Sequence, residues 1–151
     1  MKSTKASILF VLVVLVFASL PVQAKDHPVT RPFKIVSDLT VIGIDLSDPN
    51  YGIPWVGADQ GVSSETGNFV SVSKWFNEEV GFGIMYAANG DQIFWVTTVG
   101  TTIIFTGGTG RFENVSGGFT ATESSDRIVS PGPNGTLSFV YHYEGEGSIT
   151  Y

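Results

Sequence analysis

His142 and Glu144 stand two apart in a run that alternates apolar and polar residues, so on a β-strand their side chains leave the same face. Such a pair could serve as a general base or as two ligands of a metal ion. No third ligand lies near them in sequence, and a solvated outer face is the stronger reading. Asp45, Asp48, Asn50 and Asp59 form an oxygen-rich cluster that could ligate calcium. Its spacing lacks the fixed positions and closing glutamate of an EF-hand, and Asp48-Pro49-Asn50 reads more simply as a turn. The other histidine, His27, lies near the N-terminus. There is no cysteine, which removes thiol nucleophiles, thiolate metal sites and disulfides. No Ser-His-Asp order or nucleophile elbow is present. No cofactor or metal is expected.

Aromatic residues are the remaining resource. Trp75, Trp95, Phe139, Tyr141 and Tyr143 are the candidates for lining a ligand pocket. Rings supply apolar wall, and tyrosine hydroxyls supply the few polar contacts that such pockets use. The competing reading is that these rings only fill a core.

The elements that must hold these residues are strands. From Thr136 to Tyr151, Leu137, Phe139, Tyr141, Tyr143, Ile149 and Tyr151 share one parity, while Ser138, His142, Glu144, Glu146, Ser148 and Thr150 share the other. That alternation predicts a long strand with one buried face. Phe33–Leu46, Asn68–Phe76, Gly81–Ala87, Asp91–Val96, Thr101–Phe105 and Gly118–Glu123 follow the same grammar. In Asn68–Phe76, Phe69, Ser71, Ser73 and Trp75 share a face. Ala88-Asn89-Gly90 joins two of these runs as a hairpin, for which a type I′ turn is expected. Pro131–Gly135 is a turn before the last strand. No stretch after the N-terminal segment shows helical periodicity. About eight strands at spacings near ten residues predict an all-β fold, a closed antiparallel barrel, because closure removes exposed sheet edges. A barrel of that size is either filled by side chains or holds one small ligand.

The N-terminus has the composition of an export signal. Lys2 and Lys5 precede the apolar run Ala6–Leu20, and Val22-Gln23-Ala24 ends it with the pattern a signal peptidase reads. The run is shorter than the roughly 20 residues of a membrane-spanning helix. The expected organisation is therefore a signal peptide at 1–24 and one barrel domain at 25–151, exported to the periplasm or secreted, with no stable membrane insertion after cleavage. Intact-mass measurement of protein recovered outside the cytoplasm should give a chain starting at Lys25; a membrane-held species keeping Met1–Ala24 would refute the cleavage. The formal net charge is −6, and losing Lys2 and Lys5 makes it more negative. Acidity of this kind disfavours nucleic acid and anionic lipid as partners. Oligomeric state is not legible.

Thr106-Gly107-Gly108-Thr109-Gly110-Arg111-Phe112, continued to Gly118-Phe119, together with Ala87–Asp91 and Ser64–Phe69, resembles the allene oxide cyclase and dirigent barrel superfamily. The chain is similar in particular to exported bacterial members of that type. The resemblance implies a calycin-like barrel whose cavity shapes a hydrophobic ligand, and it carries over no site residue. The glycine-rich stretch itself needs no phosphate, because a strand pattern and not a helix follows it. Glycines permit a tight corner, Phe112 should plug the core, and Arg111 should meet a nearby carboxylate or carbonyl. The functional expectation is a non-catalytic barrel binding a small apolar or aromatic molecule or a protein partner. The alternative is a cyclase or isomerase acting on a hydrophobic substrate in the cavity.

Overall fold

The computed structural model describes residues 27–50, 52–77, 79–97, 101–123 and 128–151. The expected signal peptide and the Lys25 start lie outside the described residues. Nine strands are described: β1 (Thr30–Ile44), β2 (Trp55–Ser63), β3 (Gly67–Trp75), β4 (Gly81–Ala87), β5 (Gln92–Thr97), β6 (Thr102–Gly108), β7 (Ser116–Glu123), β8 (Ile128–Pro131) and β9 (Leu137–Thr150). Between them the described helical structure is two short 3₁₀ turns, Gly110–Phe112 and Pro133–Gly135.

Each strand from β1 to β6 pairs antiparallel with the next, and β7 pairs with β9. β9 closes the cylinder by pairing with β1 from Thr30↔Thr150 to Ile44↔Leu137. The fold is a closed antiparallel barrel of eight strands with one extra strand, β8. β8 pairs with the first residues of β9 and β7 with its later ones, so the two share one edge of β9 end to end. The expected barrel is what forms.

Period-2 alternation explains most of the core. On β1, Phe33, Ile35, Leu39 and Val41 are buried while their neighbours are exposed or half-buried. Phe33 stacks with Phe119 (5.5 Å between centroids) and meets Phe105 edge-on at 5.1 Å. Phe112 is fully buried and packs edge-on against Tyr151 at 5.3 Å. These rings, with Ile93, Met85 and Ile149, fill one part of the interior. A smaller cluster of Leu39, Val41 and Ile44 forms against Trp55, Leu137 and Phe139.

Two strands invert the usual polarity. On β2 the inward residues are Trp55, Gly57, Asp59, Gly61 and Ser63, whereas Val56 and Val62 point out and remain 53% and 54% exposed. On β3, Ser71 and Ser73 are buried and Val70 and Val72 are exposed. The sequence reading missed β2 for this reason: its apolar residues sit on the outside. It missed β8 as well, a short strand whose side chains are all exposed.

The hairpin between β4 and β5 forms where expected, but with a different turn. Gly90 N–H donates to the Ala87 carbonyl and Ala87 N–H to the Asp91 carbonyl. Of the three loop residues only Gly90 has positive φ, at 89°. The loop is thus three residues long with glycine at its left-handed position, and the expected type I′ geometry, which needs two such residues, is replaced.

Candidate functional site

Between the two clusters the interior is hollow. The cavity has a volume of about 50 Å³, several times the roughly 10–15 Å³ that one water needs on that measure. The apolar wall includes Leu39, Trp75, Met85, Trp95, Ile103 and Phe119, and the polar wall includes Asp59, Ser71, Thr97, Thr101, Tyr141 and Tyr143.

Space for the indoles is made by glycine on neighbouring strands. A Cβ at Gly81 would lie 2.8 Å from Trp75 Cε3, and one at Gly83 would lie 2.6 Å from Trp95 Cε2. The two indoles meet tilted, with ring centroids 5.8 Å apart. Trp75 Nε1–H donates to Ser73 Oγ at 2.8 Å, so its ring surface is what it offers the cavity.

Of the residues singled out for a pocket, Trp75, Trp95, Tyr141 and Tyr143 border this cavity. Phe139 does not; it packs with Leu39, Val41 and Ile44. The row Leu137, Phe139, Tyr141, Tyr143 does face inward, packed against that cluster.

The polar centre of the wall is a residue that sequence reasoning placed elsewhere. Asp59, grouped above with Asp45 and Asp48 as a possible calcium ligand, sits mid-strand on β2, faces inward and is 6% exposed. Asp45 Oδ1 accepts from the N–H and hydroxyl of Ser47, and Asp48 Oδ1 accepts from Asn50 N–H, so both are occupied in local turns. Among the described residues no group of three metal-ligating side chains is assembled.

Tyr143 O–H donates to Asp59 Oδ1 at 3.3 Å. Ser71 is the cross-strand neighbour of Asp59. Its hydroxyl lies close enough to favour the charged carboxylate, but its buried Oγ makes no hydrogen bond of proper geometry. Burial dominates the balance and pushes the Asp59 carboxyl up to about 7, against the hydroxyls of Ser71 and Tyr143, which pull it down. Burial, and then the Asp59 charge, hold the Tyr143 phenol well above its ordinary range, so it stays a donor. An inward position occupied by aspartate between two small residues, Gly57 and Gly61, was the available signal. It reads as a strand only once the outward valines are recognised as exposed.

His142 and Glu144 lie on the outer face. His142 Nδ1 is 2.9 Å from Asp38 Oδ1 across to β1, and its Nε2 is 4.0 Å from Glu144 Oε1. The pair belongs to a polar surface cluster on the face of β9 opposite to the cavity. The glycine-rich corner also proves structural. Arg111 donates through Nη2 to the Glu65 carbonyl, Arg111 N–H donates to Asp91 Oδ2 at 3.3 Å, and Gln92 N–H donates to Thr109 Oγ1 at 3.0 Å.

Fold and site together define a closed β-barrel with a hollow larger than a water, walled by indoles, phenols and one buried carboxyl. The chain matches no protein-family model, no curated protein and no solved structure.

Proposed function

We propose that this is an exported barrel, kin to the allene oxide cyclase and dirigent superfamily, that binds one small ring-bearing molecule in its interior. The observation that supports the reading is the hollow itself, which leaves Trp75, Trp95, Tyr141 and Tyr143 bordering free space. Rings packed only for stability would close on one another, because interiors pack to near-crystalline density. Single-ring aromatics such as toluene and phenol should bind saturably in ligand-observed NMR. Tyr143→Phe should weaken phenol several-fold by removing a polar contact. Ala121→Phe, which places a ring in the cavity, should abolish binding while the barrel stays folded. Unsaturable binding, or binding indifferent to Ala121→Phe, would remove the pocket and leave the fold.

One observation favours the second reading, an isomerase or cyclase. A carboxyl that titrates near 7 exchanges protons readily at neutral pH and is suited to general acid–base work. Turnover of a hydrophobic substrate that Asp59→Asn abolishes with binding intact would establish catalysis over binding alone.

A further inference from the structure

The cavity wall is chemically one-sided. Among its described residues there is a carboxyl, and no lysine, arginine or histidine. Asp59 receives one hydrogen bond of proper geometry, the long one from Tyr143, and the Ser71 hydroxyl beside it is buried without completing one. A buried carboxylate is ordinarily paired with a cation, since a low-dielectric interior does not replace the hydration it loses. Nothing in the described wall supplies that charge. The rest of the wall offers the faces of indole and phenol rings, which attract cations through their quadrupoles. The chain is also acidic overall, which draws cations and repels anions.

We infer that the cavity takes an organic ammonium ion, a primary or secondary amine on a compact apolar or aromatic body. Its N–H groups bond Asp59 and Ser71, and its body lies against Trp75 and Trp95. The inference rests on the small-molecule reading above and names the ligand class. Carboxylate ligands such as fatty acids are disfavoured by the same wall.

Charge on the ligand couples binding to the proton on Asp59. The titratable groups facing that carboxyl are Tyr143 and Tyr141 of β9. β1 contributes Leu39, β3 Ser71 and Trp75, β4 Met85, and β5 Trp95 and Thr97, none of which titrates in the range of interest. Asp38, Lys74 and His142 are on the outward parity of their strands. An ammonium ion therefore binds better when Asp59 is ionised, and binding near pH 7 expels a proton into the buffer.

The test compares three soluble probes of one shape: phenethylammonium, 2-phenylethanol and 3-phenylpropionate. Titration calorimetry and tryptophan fluorescence on the protein lacking residues 1–24 would follow them from about pH 5.5 to about pH 8.5, where the amine stays charged. Phenethylammonium should bind on the order of tenfold tighter than phenylethanol at the upper pH, and weaken by a similar factor at the lower. Its binding heat near pH 7 should depend on the buffer's ionisation heat. Asp59→Asn should erase both the preference and the pH dependence. The wild-type pH series decides the matter even without the variant. If phenylethanol or phenylpropionate binds as tightly as the amine, the pocket stands and the ammonium assignment falls. If none of the three binds, both fall.

Discussion

Asp59→Asn makes the protein more stable at pH 8 and leaves its stability near pH 3 unchanged. Folded, the carboxyl titrates at about 7; unfolded, it returns to its ordinary 3.8. Below about 3.8 it is protonated in both states and contributes no pH dependence. As pH rises from there, the unfolded chain releases its proton first, so the native state loses stability until the folded carboxyl ionises near 7. The slope is about 1.4 kcal/mol per pH unit, so the total loss is a few kcal/mol, a large part of a typical ~5–15 kcal/mol margin. Asparagine fills the same space, still accepts from Tyr143 through its carbonyl oxygen, and adds a donor beside the unpartnered Ser71. Urea midpoints for both proteins across pH 3–8 should diverge through the pH 4–7 window and run level above it. Parallel curves would show that Asp59 is not desolvated as the structure has it. A site residue held at such a cost fits the common trade of stability for function.

Gly110→Val and Gly108→Val each lower the thermal midpoint strongly, for different reasons. Gly110 has φ of 57°, in the left-handed region, and a Cβ there would run into the Asp91 carboxylate. That carboxylate is already committed to Arg111 N–H and Asn89 Nδ2. Gly108 has ordinary φ, but its Cβ would strike the Gln92 carbonyl and lie 2.8 Å from the Phe112 carbonyl. Those are backbone atoms and cannot swing aside. Left-handed strain and overpacking each cost on the order of 1–3 kcal/mol, and a loss near 3 kcal/mol would lower the midpoint of a domain this size by roughly 10 °C. Differential scanning calorimetry of both variants gives the answer, and an unchanged midpoint in both would show the corner tolerates side chains.

The class of fold was legible because period-2 alternation is local. Leu137, Phe139, Tyr141 and Tyr143 share a face on any strand, and the structure turns that face inward. Phe112 was legible as a plug for the same kind of reason, since a lone ring after a glycine corner has only the interior to enter; it is fully buried. β2 was not legible. Its valines point outward and its aspartate inward, and whether a strand's apolar parity faces core or water depends on what the neighbouring strands need to enclose. Asp59 therefore looked like a loop acid beside Asp45 and Asp48, and only closure of β1 onto β9 brings it opposite Tyr143, 84 positions away along the chain. The cavity is likewise a property of the closed barrel. Alternation sorts the residues of a strand onto two faces, but a hollow is the volume left after all inward side chains have been placed. Here the glycines and serines of β2, β3 and β4 make that remainder larger than a water, which no segment read by itself contains.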